Sequence, residues 1–175
     1  MARRPIMSAD QERFLAFEGL VQWTQAAITQ SSRVSRARDQ QREGATQNSA
    51  ARRQTVLAFH TECHFFVIAA YKLLEYRKWV STFGLCAAVD FSEIDGFPEQ
   101  DIKDLRNMRE HVVDYFQGDG NAPERWSVET PEFKADASSV VETMIGGRLD
   151  WIKFAAAADG LLPQLLAEPI PYPPQ

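Results

Sequence analysis

Between residues 51 and 79 the apolar positions Val56, Phe59, Cys63, Phe66, Val67, Ala70 and Leu74 recur at intervals of three and four. A stripe of that period is the buried face of an α-helix, and at this length it makes a long core helix the element around which the chain must fold. Other segments carry the same signature. Ser8 followed by Gln11 reads as a capping box, and Phe14, Phe17, Val21 and Ile28 keep helical spacing behind it, so a first helix is expected to reach the early thirties. Pro98 suits the first position of a helix, Glu99 and Asp101 suit its positive end, and Gly118 supplies a stop, which predicts a helix over 98–117. The run RLDWIKFAAAADGLLPQLLAE predicts a closing helix, bent or restarted around Gly160 and Pro163.

Non-helical signals are few. Residues 81–97 read as a connection, with Gly84 and Asp95-Gly96 as turns. After the GDGNAP turn, Trp126, Val128 and Thr130 alternate with polar residues as in a short strand, pairing within 138–145 and ending at Gly146-Gly147. The expectation is a single domain over 1–175: an all-α, up-and-down bundle of four to five helices with a short β-hairpin before the last. Residues 1–7 and the proline-rich 168–175 form its tails. A chain of 175 residues can bury such a core without metal or disulfide staples.

One stretch departs from this pattern. Residues 31–53 hold Arg33, Arg36, Arg38, Arg42, Arg52 and Arg53, no lysine, and only Asp39 and Glu43 as acids. It reads either as a flexible loop or, preferably, as the solvated extension of two long antiparallel helices that break near Gly44 around a mobile tip. The arginines are either a local patch for RNA phosphates or a solvated end that keeps the chain in solution. The whole chain carries a net charge of −5 with a sequence pI near 5.2, so bulk electrostatics do not draw nucleic acid to it.

No run approaches the ~20 apolar residues of a membrane span, and no apolar segment follows the basic start. Cys63 and Cys86 lack CxxC spacing and are expected to be free thiols in a reducing cytoplasm. No phosphate loop, nucleophile elbow or zinc ribbon is present, so no cofactor is expected. His60 and His64, in FHTECH, stand one helical turn apart with Cys63 beside them. That spacing either offers a metal two imidazoles, which would need a third ligand from His111, Glu110 or Asp114, or borders the apolar face and hydrogen-bonds to a neighbouring helix.

The remaining histidine lies in LRNMREHVVDYF, residues 105–116. On a wheel of ~100° per residue with Ile102 at the origin, Leu105, Met108, Val112, Val113, Tyr115 and Phe116 occupy a core-facing arc. Arg106, Glu110, Asp114, Asn107 and His111 then spread over the open face, from about 40° to about 180°. Asn107 and His111 are neighbours one turn apart, so an amide can orient an imidazole. Arg106 projects from the other border of the strip, and two copies across a twofold axis would bring Arg and His into one cleft.

The run Arg106-Asn107-Met108-Arg109-Glu110-His111 resembles the R-N-x-x-x-H form of the Arg-x4-6-His motif of the HEPN superfamily. The order of two long helices, a connection, a motif helix and a closing helix is similar too. The resemblance implies a homodimer with motif helices at its cleft and, in active members, metal-independent RNA cleavage within toxin or defence systems, often beside an antitoxin or other protein partner. Carried over, Arg106 would steady the scissile phosphate, His111 would be the acid/base group and Asn107 would orient it. The tyrosine found two residues after the histidine in one toxin subgroup is replaced here by Val113. The alternative is a non-catalytic helical module that binds a partner protein, with Arg106, Glu110 and Asp114 in solvated ion pairs.

Overall fold

A computed structural model of the chain describes residues 7–46, 48–120, 123–131 and 134–171. Two long helices dominate: α1 (Ala9–Gly44) and α2 (Ser49–Thr82). Ser8 caps α1 in a full capping box with Gln11, and Asn48 caps α2 by accepting from the Ala51 N–H. They run antiparallel, because Gly44 meets Thr55, Gln30 meets Glu62 and Gly19 meets Tyr76 along their length. At ~1.5 Å per residue, 36 and 34 residues make rods of about 50 Å.

The expected first helix is therefore longer by about three turns, and helix covers most of the 31–53 stretch. Arg, Gln, Glu and Ala have good intrinsic helix propensity, and Val34, Ala37 and Gly44 give the polar end a narrow buried seam. Gln47, between the two helices, lies outside the described residues.

Beyond α2, a connection leads to the single turn α3 (Ser92–Asp95), then α4 (Glu99–Glu110) and α5 (Val112–Gln117). A 3-10 turn over Pro123–Trp126 precedes β1 (Ser127–Glu129) and β2 (Lys134–Asp136), which pair antiparallel with Val128 opposite Ala135. A second small sheet follows in the order β3 (Val140–Val141), β4 (Met144–Ile145), β5 (Leu149–Asp150). The expected partner of the first strand was 138–145; that segment pairs instead with itself and with β5. Closing helix α6 (Trp151–Ala167) starts on Asp150, whose carboxylate accepts from Ile152 and Lys153 N–H, and runs as one helix with Pro163 inside it. The architecture is mostly α with small antiparallel strands before the last helix.

The core lies where α6 crosses α1 and α2. Phe154 meets Phe66 edge-on at 6.0 Å between ring centroids and Phe97 at 4.8 Å, and Leu20, Leu73, Leu161 and Leu165 fill the remaining space. On the other side of α2, α4 buries Ile102, Leu105 and Met108. The strand region is tied to α4 by Arg125, which reaches Asp101 at 2.6 Å and also pairs with Asp104, and by Leu105 packing on the backbone of Gly146. Gly146 has φ +59, so it is both the turn and the only width that this contact admits. No described helix is long and apolar enough to cross a membrane. Of the expected tails, residues 1–6 and 172–175 lie outside the described residues, as do Asn121 and Ala122 in the GDGNAP turn.

Candidate functional site

The motif helix is α4, and it ends sooner than its sequence implies. Its apolar stripe Ile102, Leu105, Met108 is fully buried, as the wheel requires. At His111 the backbone leaves helical geometry (φ −113, ψ 34) before the chain resumes as α5. Two β-branched residues, Val112 and Val113, follow directly, and they crowd the preceding turn of a helix. The elbow redirects everything after it. Val113 is 59 % exposed and Phe116 78 %, where the straight wheel placed both in the core. Tyr115 and Phe116 pack instead on Trp126, at 5.6 and 5.3 Å between ring centroids.

The elbow puts His111 at the surface, with its side chain 59 % exposed and Nδ1 3.3 Å from the Asp114 carboxylate. A carboxylate on Nδ1 fixes the ring and leaves Nε2 for chemistry. Asn107 lines the same open cleft of about 530 Å³ as His111, while the partner of the imidazole is Asp114 rather than the Asn107 amide. Asp104, Asp114 and Asp119 line that cleft as well, against Arg125 as its one cation among the described lining residues.

Arg106 does not join them. Its guanidinium lies 4.7 Å from the Tyr71 ring centroid and 2.6 Å from the Glu110 carboxylate, on the side of α4 that faces α2. The bland i,i+4 ion pair foreseen for Arg106 is thus formed, and within one chain the arginine and the histidine of the motif face different ways.

A second cleft, of about 340 Å³, opens on the opposite side of the elbow, bounded by His60, Thr61 and His64 of α2, Arg109 of α4, Val112, Trp126 and Ser138. Arg109 extends between α2 and the strand region. Its Nη1 donates to the Ala137 carbonyl at 2.8 Å and its Nη2 to the His60 carbonyl at 3.1 Å. No carboxylate of the described residues pairs with it. Both imidazoles are held below their usual 6.5, by burial first and then by the charge of Arg109. Asp136 and a hydrogen bond to the Ser138 backbone work the other way at His60, as Glu110 does at His64.

Sequence reasoning passed over Arg109, although the signal was there. Seven residues on from Ile102, at ~100° each, it falls about 20° from Ile102 and inside the apolar stripe, where a cation has no business unless it reaches something beyond the core.

These placements also bear on metal binding. His60 and His64 share a cleft, but its other charged group is a guanidinium, which repels a cation. Among the described residues no group of three or more His, Cys, Asp or Glu side chains is placed to hold a metal ion. Cys63 points into the core and burial pushes its thiol up to about 12.

Of the six arginines in 31–53, Arg33, Arg36, Arg42, Arg52 and Arg53 are exposed and Arg38 is half-buried. Arg52 and Arg53 line a shallow groove that shares Leu57 with the histidine cleft. Comparison of the chain with protein-family models, with curated proteins and with solved structures returned no match.

Proposed function

We propose that the protein is a HEPN-like RNA-binding protein that acts as a homodimer and cuts RNA without a metal ion. The observation that carries this reading is the imidazole of His111, exposed at a helix elbow and steadied by Asp114 at 3.3 Å beside Asn107. An imidazole so held can take a proton from a ribose 2′-hydroxyl and return one to the leaving oxygen near neutral pH. The cleft around it is acidic, so the cation that steadies the phosphate has to come from elsewhere. Arg106 of a second copy fills that role once it gives up Glu110, and the bare Val113 and Phe116 beside the cleft are the natural surface for that copy to cover.

A second reading, a non-catalytic module for a partner protein such as an antitoxin, draws on the same two exposed side chains. The test is cleavage of an end-labelled mixed RNA in EDTA by the wild type, Arg106→Ala and His111→Ala, each checked for folding and oligomeric state. The first reading expects 2′,3′-cyclic phosphate ends from the wild type and none from either variant. A folded, dimeric wild type that leaves RNA intact decides for the module.

A further inference from the structure

The mechanism proposed for His111 leaves the opposite cleft unused, and that cleft holds a set of groups that packing alone does not explain. Arg109 is drawn into the protein with backbone carbonyls as its hydrogen-bond partners, and no described carboxylate forms an ion pair with it, Asp136 acting on its charge only from a distance. A desolvated cation of this kind is costly unless something negative meets it. His60 and His64 present their rings to the same space from one face of α2, and Ser138 adds a polar group at the rim. The remaining walls are Leu57, Val112 and the Trp126 indole.

From this juxtaposition we infer that the cleft between α2, the α4–α5 elbow and the Pro123–Trp126 turn binds the phosphate of a nucleotide. Arg109, His60 and His64 hold the phosphate, and Trp126 stacks on the base.

The chemistry fits in three respects. A guanidinium gives paired donors to phosphate oxygens, and imidazoles donate singly without filling the site. An indole beside a phosphate site is a stacking platform for any base. A volume of about 340 Å³ lies within the ~300–1,000 Å³ of small-molecule pockets. Leu57 links the cleft to the groove of Arg52 and Arg53, so a strand longer than one nucleotide has cations along its path. The inference stands whether or not His111 cuts RNA.

Protons give the site a signature. Free, both rings titrate below the usual 6.5, because burial and Arg109 outweigh the Ser138 backbone hydrogen bond and Asp136 at His60, and Glu110 at His64. A bound phosphate adds negative charge beside them, favours the imidazolium forms, and raises both titrations.

The experiment follows the three histidine Cε1–Hε1 resonances by NMR, assigned through His60→Gln, His64→Gln and His111→Gln. Adenosine 5′-monophosphate, adenosine, inorganic phosphate and a 5′-phosphorylated hexaribonucleotide are titrated in parallel. The monophosphate is expected to shift His60 and His64 but not His111, to move their midpoints from below 6.5 to above it, and to bind more tightly than adenosine or phosphate alone. Arg109→Lys, which keeps the charge and loses the fork, is expected to weaken binding by roughly ten- to hundredfold.

His64→Gln is the control for a variant at Arg109 that fails to fold, and is expected to weaken binding while leaving the circular dichroism unchanged. Tighter binding of the hexamer than of the monophosphate identifies an RNA strand as the source of the nucleotide, and the reverse identifies a free nucleotide. Resonances of His60 and His64 that stay fixed at millimolar monophosphate and hexamer overturn the inference. So does binding that is undiminished in folded Arg109→Lys and His64→Gln, since the phosphate is then held elsewhere.

Discussion

Replacing Gly19 by alanine sets two opposite effects against each other at the base of the long hairpin. Gly19 is buried on α1, and the Tyr76 ring occupies the space where a side chain at this position would stand. A Cβ there would stand 1.9 Å from Tyr76 Cε1 and 2.3 Å from Cδ1, whereas ordinary contact begins near 3.4 Å. The ring must therefore withdraw by about 1.5 Å, the difference between 3.4 and 1.9 Å. Trp79 packs edge-on against that ring, with centroids 5.5 Å apart, so a shift of Tyr76 disturbs this contact too. Overpacking of this kind costs about 1–3 kcal/mol. Against it, alanine gains about 1 kcal/mol over glycine inside a helix. The net is a loss of about 1 kcal/mol, or about 2 if the ring finds no new place. A domain of this size then melts roughly 2–8 °C lower.

The same substitution in a Tyr76→Ala background meets no ring, so only the propensity gain remains and Gly19→Ala becomes stabilising. Thermal melts of the wild type, both single variants and the double variant measure this change of sign. A Gly19→Ala that raises the melting temperature in the native background, or acts equally in both, refutes the ring-on-glycine packing.

Three further outcomes follow from the geometry. His60 and His64 titrate lower in the folded chain than in the unfolded one, so above pH ~6.5 neither state carries their protons and below it the unfolded chain takes them up first; stability falls as the pH drops from about 6.5 through the folded-state values. Urea midpoints at about pH 7.5 and 5.5 should differ less in the His60→Gln/His64→Gln double variant than in the wild type, and an unchanged difference removes the two imidazoles as its cause. Burial holds Cys63 at about 12 and Cys86 at about 11, so alkylation by iodoacetamide at pH 8 should wait for unfolding, and stoichiometric labelling of the native protein within minutes contradicts their burial. Asp150→Ala removes the cap of α6 and should cost about 1 kcal/mol in chemical denaturation, with Asp150→Asn nearly neutral; a neutral alanine variant shows that the cap contributes nothing.

Particular residues show what the sequence could tell. The stripe Val56 to Leu74 announced α2 because a buried face on a long helix leaves an unbroken period. The polar end of α1 was underestimated, since helix there rests on propensity and on three small buried positions rather than on an apolar stripe. Strand partners were misjudged for a different reason: pairing of two or three residues is decided by tertiary contacts such as Arg125 to Asp101, which local alternation does not encode. In the candidate site, Asn107 and His111 line one cleft, as one-turn spacing allows, but the residue beside the imidazole is Asp114. Arg106 did not join them because Glu110 and Tyr71 already hold it on the other side of the helix. The elbow at His111 was not visible to a wheel that assumes a straight axis, and with it went the position of Phe116. Arg109 was legible as a charge in an apolar arc, but its partners are backbone carbonyls 28 and 49 residues away, which no local pattern names.

The placement of α6 has a consequence for how the protein comes into being. Its partners on α1 and α2, including Phe66 and Leu20, are all synthesised before it. The two long helices therefore leave the ribosome with one apolar flank unclothed, and stay so until Trp151 to Leu165 arrive to cover it. For that interval the nascent hairpin is a sticky, half-finished object, and its safety depends on the speed of translation across the strand region and on chaperones that recognise bare leucine and phenylalanine.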